Sequence, residues 1–191
     1  MPPIVAFQGE TGAFSELAAE RLVDEPIALL PCATFDVAVR AVVDGHADYA
    51  AIPVMNLIAG PVHEAIDALA QFSSLETVRE MQLPIHLALL GLPGAVIGDL
   101  REVLSHSIAL QQCTRFLAEH PLMKPVDALD TARAARMIGI RRDLTAGAIA
   151  APWAAKHYGL VVLAEELEDR PDNVTRFLLV RRKVRTLDEA G

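Results

Sequence analysis

Asp172-Asn173-Val174-Thr175-Arg176-Phe177-Leu178-Leu179-Val180 joins a polar stretch directly to an apolar run. The run reads as a buried strand, which sets the polar residues at a strand mouth, where rigidly held loops carry chemistry. Thr175 offers a neutral hydrogen-bond donor beside the fixed charge of Arg176, a pairing that suits an anion. Two plainer uses stay open: Thr175 opens a strand, which its branched side chain favours, and Arg176 lies on the solvent face. The position of this strand in the chain decides the fold. It follows the polar segment Leu167-Glu168-Asp169-Arg170-Pro171-Asp172, which returns the chain to the half where it began.

Working outward, strands alternate with helices of about ten residues. An apolar run over residues 4–7 stops at Gln8-Gly9, and a helix follows over 14–23 with Ala13 or Ser15 near its first turn. A strand over 27–30 leads to Thr34, the expected N-cap of a helix over 35–43 that stops at Asp44-Gly45. A third strand covers 49–54, and a helix ending near 72 and a strand over 75–81 follow. Residues 83–86 cross into a second half that repeats the pattern. Strands are expected over 87–92, 103–104, 124–126, 146–150 and 161–166, with helices over 108–119, 132–138 (after Asp130-Thr131) and 152–158. Such alternation implies parallel pairing, right-handed crossovers and ligands at the carboxyl ends of strands. The reading is an α/β protein of two lobes, 1–82 plus 173–191 and 83–172. Parallel-rich sheets flanked by helices form a clamshell whose chain crosses twice between the lobes.

Composition narrows the function. Hydrophobic residues make up 52% and aromatics 5%, so the core rests on Ala, Val, Leu and Ile, and aromatic platforms for nucleic acid are not expected. A formal charge of -8 argues against nucleic-acid or anionic-membrane partners, whereas a small anion needs only a local pocket. Cys32 and Cys113 lie far apart without metal-ligand spacing, and no signal peptide or membrane span is apparent, so a reduced cytoplasmic setting without a metal is expected. Gly9 and Gly12 match neither a dinucleotide fingerprint nor a phosphate loop. His63 and Glu64 read as a solvated helix face, and Arg181-Arg182-Lys183 as a solvated strand end. His106 has the ordinary pKa of a general base, yet a lone histidine at a strand end also serves structure, and no Ser-His-Asp order can be defended.

The segments Gly9-Glu10-Thr11-Gly12-Ala13-Phe14-Ser15-Glu16, Ile52-Pro53-Val54 through Gly60, Ser105-His106, Gln112-Cys113 and Thr175-Arg176-Phe177 occur in an order that resembles the prephenate dehydratase family. The resemblance covers nearly the whole chain. It implies a clamshell like that of type II periplasmic binding proteins, and removal of carbon dioxide and hydroxide from prephenate to give phenylpyruvate. A cytoplasmic homodimer without a cofactor is also implied. By the same resemblance Thr175 is the catalytic residue, and Asn56, Ser105, Gln112, Arg176, Thr11 and Phe177 bind substrate, with Ser15 a further pocket-lining group. Seven residues span two helical turns, so Ser105 and Gln112 share a face if the helix has begun by Ser105; otherwise Ser105 caps it.

Two departures stand out. The family carries Glu-Asn-Ser where this chain has Met55-Asn56-Leu57, and Ser-His-Pro where it has Ser105-His106-Ser107. The first implies a drier pocket floor that still permits decarboxylation but holds a departing hydroxyl less well. It admits two rivals, a prephenate decarboxylase that keeps the ring hydroxyl and a binder of an aromatic-pathway anion without turnover. Prephenate and arogenate are not separable at this level. Family members usually continue into a phenylalanine-sensing ACT domain; this chain stops at Gly191, and the expectation is no such domain and no feedback inhibition through it.

Overall fold

A computed structural model of the chain describes residues 1–183. The first half runs β1 (Ile4–Gln8), α1 (Phe14–Leu22), β2 (Ala28–Cys32), α2 (Phe35–Val43), β3 (Tyr49–Asn56), β4 (Gly60–Pro61), α3 (His63–Ala70) and β5 (Leu75–Pro84). The second half adds β6 (Ala88–Gly91), β7 (Glu102–Ser105), α4 (Ser107–Gln111), α5 (Thr114–Glu119), β8 (Lys124–Asp127), α6 (Thr131–Arg141), β9 (Ala146–Ala150), α7 (Ala154–Tyr158), β10 (Val161–Ala164) and the returning strand β11 (Val174–Arg182). Val5 and Ala6 show why β1 is a buried strand. Val5 packs in a cluster with Ala18 and Leu22 of α1, and Ala6 in another with Ala38 and Val39 of α2, so the two faces of one strand are covered by two helices.

The first sheet has the order β2-β1-β3-β11-β5, with β4 on β3, and the second the order β10-β6-β9-β7-β8. The expected parallel pairing holds for β1 with β2 and β3, and for β7 with β8 and β9. The sheets are nonetheless mixed, because the returning β11 lies antiparallel between β3 and β5, and β6 lies antiparallel to β9 and β10.

Hydrogen bonds join the two crossings. Ile85 N–H donates to the Asn173 carbonyl at 2.8 Å, and Leu167 N–H to the Leu87 carbonyl at 2.9 Å. The Glu168 carboxylate, only 4% exposed, accepts from Leu87 N–H and from His86 Nδ1, each at 2.9 Å. One buried acid therefore holds both strands of the hinge.

The caps expected at Thr34 and Asp130 are present: Thr34 Oγ1 accepts from Val37 N–H at 3.2 Å and Asp130 Oδ1 from Arg133 N–H at 2.7 Å. The single helix expected over 108–119 is instead broken into α4 and α5 at Gln112 and Cys113. Asp169, from the second crossing, causes the break. Its Oδ2 accepts from Thr114 N–H (2.9 Å) and Oγ1 (2.6 Å), its Oδ1 from Arg115 N–H (2.9 Å), and its own N–H donates to the Gln112 carbonyl (2.6 Å). Burial pushes the Asp169 carboxyl up, but the bonds from Thr114 and Arg115 outweigh it and hold the group below the usual carboxylate range. The basic cluster at the end of β11 is solvated as expected, with Arg182 and Lys183 exposed and Arg181 half-buried. Arg181 pairs with Glu76 at 2.9 Å, Arg182 donates to the Val43 carbonyl at 3.1 Å and Lys183 to that of Ser73 at 2.7 Å, so each cation ties the strand to a neighbour.

The lobes also meet along a seam where α1 and the turn before it lie against Ala132, Trp153 and Ala154. Phe14 stands edge-on to Trp153 with ring centroids 5.1 Å apart, and Phe7, Ala13 and Ala132 form a small cluster across it. Gly12, at φ 90°, lies so near Ala154 that a Cβ there would come within 3.0 Å of the alanine methyl; only glycine permits this approach.

Candidate active site

A β-bulge builds the site. Thr175 pairs with Asn56 and Arg176 with Met55, but Phe177 pairs with Pro53, leaving Val54 as an extra residue on β3. The extra residue inverts the alternation of β3 beyond it, so Asn56 comes onto the face of Thr175 while Met55 shares the opposite face with Arg176. Asn56 Nδ2 donates to Thr175 Oγ1 at 2.9 Å and to Asn173 Oδ1 at 2.9 Å. Its Oδ1 accepts from the N–H groups of Ile58 (3.0 Å) and Ala59 (2.8 Å), which decides which way the amide points. From the other lobe, Gln112 Nε2 reaches Asn56 Oδ1 at 3.4 Å and Gln112 Oε1 accepts from Asn173 Nδ2 at 3.0 Å. Both lobes thus contribute to one polar cluster beside the hinge.

This geometry sets the chemistry open to Thr175. Its oxygen already accepts a hydrogen from Asn56, so its own proton is left to donate. Thr175 is buried, with 7% of the residue exposed, where such a donor is worth more than in water.

Side-chain hydrogen bonds link Asn56, Gln112 and Thr175 and, among the described residues, join none of the other candidates to them. Ser105 is fully buried and donates its hydroxyl to the Ile149 carbonyl at 2.6 Å, within the second sheet. It neither caps nor begins α4, since His106 is the cap and accepts from Ile108 N–H at 3.3 Å. His106 therefore has a structural use. Arg176 is exposed on the face away from Thr175 and makes no ion pair among the described residues. Phe177 is a core residue, packed with Val5, Ala51 and Leu179. Ser15 is buried on α1.

Thr11 belongs to a different place. With Glu10, Pro31, Arg136, His157 and Tyr158 it lines an open cavity of about 450 Å3 on the lobe seam. There Arg136 Nη1 lies 3.1 Å from Glu10 Oε1, and Tyr158 donates to the Thr11 carbonyl at 2.6 Å. Burial, with Glu10 and Asp130 adding to it, pushes the Tyr158 phenol up to about 12, so it remains a donor at neutral pH. Cys113, beside Gln112, is likewise held as a thiol: burial first, then Asp169 and Glu168, push it up to about 12.

Met55 and Leu57 are 40% and 62% exposed, and Met55 shares the face of Arg176, so its side chain does not lie beneath the Asn56–Thr175 pair. The bulge, invisible to simple alternation, is the reason. Met55→Glu with Leu57→Ser is accordingly expected to leave kcat within about twofold, as surface changes outside a network do. A glutamate opposite Arg176 would add a cross-strand ion pair worth about 0.5 kcal/mol, read as a small rise in Tm. A tenfold gain in kcat would instead show that these positions act in the site.

Asn173 is the site residue that the sequence reading passed over. Period-two alternation puts residues 173 and 175 on one side of the chain, which is the signal that would have found it.

The profile of one family, prephenate dehydratase, matches residues 5–185. Arogenate dehydratase 2 of Petunia hybrida is 43% identical over 180 residues, covering 94% of this chain and 45% of the relative. A protein of Arabidopsis thaliana named arogenate dehydratase/prephenate dehydratase 2, chloroplastic, is 42% identical over 180 residues, covering 94% and 46%. The chain thus spans less than half the length of these relatives. Among solved structures, a prephenate dehydratase from Arthrobacter aurescens in complex with L-Phe superposes with a TM-score of 0.84 at 35% identity, covering 95% of this chain and 61% of that one. GqqA, described as a novel type of quorum quenching acylase, gives 0.85 at 34% identity, covering 98% and 67%. Shared sequence over nearly all of its length and a shared two-lobed fold agree on one assignment: the chain belongs to the prephenate dehydratase family.

Proposed function

We propose that this chain carries the catalytic site of a dehydratase that converts prephenate to phenylpyruvate, carbon dioxide and water. The substrate is a dianion whose ring bears a carboxylate and, across from it, a hydroxyl. As the carbon–carbon bond to the carboxylate breaks, its electron pair enters the ring and carbon dioxide leaves. The carbon–oxygen bond then releases its pair with hydroxide, which ends as water after taking a proton. Aromatisation supplies the driving force, so the reaction consumes no cofactor. Thr175 serves as an aligned hydrogen-bond donor to the leaving oxygen, not as a titrating acid.

The observation that carries this reading is the Asn56 to Thr175 hydrogen bond, which leaves the Thr175 proton free to donate. Met55 lies off this face, so its divergence does not weaken the dehydratase reading against a decarboxylase that keeps the hydroxyl. Arogenate is the second substrate to consider, because relatives 38–43% identical carry arogenate in their names. It differs from prephenate in bearing an ammonium in place of a keto group, remote from the leaving hydroxyl, so the same role for Thr175 serves both. An acylase reading gains nothing from Ser105, whose hydroxyl is committed to the Ile149 carbonyl.

The test is to incubate the purified protein separately with prephenate and with arogenate at neutral pH, and to identify products by mass spectrometry against protein-free controls. Phenylpyruvate from prephenate is the expected result, and the ratio of kcat/KM for the two acids assigns the preferred substrate. A decarboxylated product that retains its hydroxyl, or unchanged acids, would overturn the reading.

A further inference from the structure

Asn173 is 1% exposed and lies on the second crossing, where its main-chain carbonyl accepts from Ile85 N–H at 2.8 Å. Its side chain is one member of a ring of three amides. Asn56 Nδ2 donates to Asn173 Oδ1 (2.9 Å), Asn173 Nδ2 donates to Gln112 Oε1 (3.0 Å), and Gln112 Nε2 donates to Asn56 Oδ1 (3.4 Å). Donation runs head to tail, so the orientation of each amide constrains the next. An amide nitrogen carries two hydrogens, and those of Asn56 go to Asn173 and Thr175. Without Asn173 the Asn56 nitrogen loses one of its two 2.9 Å acceptors and keeps Thr175 with the more distant Val174 carbonyl at 3.4 Å, so with its oxygen still held by Ile58 and Ala59 its hydrogen is less firmly aimed at Thr175. The Thr175 proton is then less firmly aimed by an occupied lone pair.

We propose that Asn173 is a positioning residue for the dehydration, acting through Asn56 on the Thr175 hydroxyl, and that its bond to Gln112 makes this alignment depend on the second lobe being in place. The inference rests on the dehydratase reading and adds to it a residue that touches no reacting atom. Its main-chain position suits the task. Residues 167–173 carry the bonds to Leu87, to the α4–α5 break and to Ile85, so Asn173 moves only if the hinge moves.

A double-mutant cycle tests it. Asn173→Ala is expected to lower kcat about tenfold or more with KM changed less than about threefold, and to change kcat less than about twofold when introduced into Thr175→Ala. Single-turnover assays read the residual activity of the double variant, and thermal melts confirm folding. Should Asn173→Ala not fold, the same cycle is run with Asn173→Asp, which keeps an acceptor oxygen toward Asn56. Its loss of kcat is expected to be smaller and again absent in the Thr175→Ala background. Losses that multiply in the double variant, or a change confined to KM or Tm, would overturn the proposal and leave the dehydratase reading intact. A wild-type protein inert toward both acids would overturn that reading, and the proposal with it, before any variant is made.

Discussion

Thr175→Ala is expected to lower kcat by about 10²–10³-fold, the usual cost of removing one aligned donor to a developing oxyanion, while KM stays within about threefold. The substitution removes a hydroxyl whose oxygen is held by Asn56 Nδ2 at 2.9 Å and whose proton is otherwise uncommitted. Thr175→Ser keeps that hydroxyl and is expected to retain much of the rate. Stability responds in the opposite proportion. Asn56 keeps Asn173 as an acceptor and both loop N–H groups as donors, so Thr175→Ala is expected to cost only about 1 kcal/mol. Steady-state kinetics and a thermal melt on the same preparations separate the two effects. Equal proportional losses in Tm and rate would return Thr175 to a purely structural part at the start of β11.

The largest effect on stability is expected at the hinge. Glu168→Ala removes the acceptor of the buried Leu87 N–H and of His86 Nδ1, leaving a main-chain donor unsatisfied where water does not reach. That costs about 2–3 kcal/mol, which for a chain of this length lowers Tm by roughly 5–10 °C. Glu168→Gln keeps one acceptor oxygen for Leu87 and is expected to lose less than half as much. The loss also reaches the site, since Glu168 neighbours Asp169, which holds the Gln112 turn through the 2.6 Å bond to its carbonyl. A Glu168→Ala melt within about 1 °C of the parent would show that the crossings are held by main-chain bonds alone.

Much of the architecture was legible because it rests on local rules. Thr34 and Asp130 each precede an amphipathic run and accept from the N–H three residues on, so the caps of α2 and α6 can be read from neighbouring letters. The double crossing was legible because a polar segment falls between two apolar strands, at 167–172. The sequence reading failed where distant residues decide. Residues 108–119 carry a helical period throughout, yet Asp169 caps α5 from 55 residues away and breaks the helix at the turn that presents Gln112. Alternation along β3 assigns Asn56 to the wrong face unless the extra residue at Val54 is known, and the register against β11 shows it only once the sheet is formed.

The candidate residues divide along the same line. Asn56, Gln112 and Thr175 meet because β3, the α4–α5 turn and β11 converge beside the hinge. Ser105 resembles a site residue in its motif, but its hydroxyl satisfies a carbonyl of the second sheet, a demand that no motif records. Thr11 sits in a glycine turn suited to an anion, and the fold carries that turn to the lobe seam, beside Arg136 and Tyr158. Two polar clusters therefore lie between the lobes, one at the hinge and one on the seam.

A crystal structure of Thr175→Ala soaked with prephenate chooses between them. The ring oxygen is expected about 3 Å from Asn56 Nδ2, in the space left by the threonine hydroxyl. Prephenate seated against Arg136 and Tyr158, with the Asn56 cluster untouched, would contradict this placement.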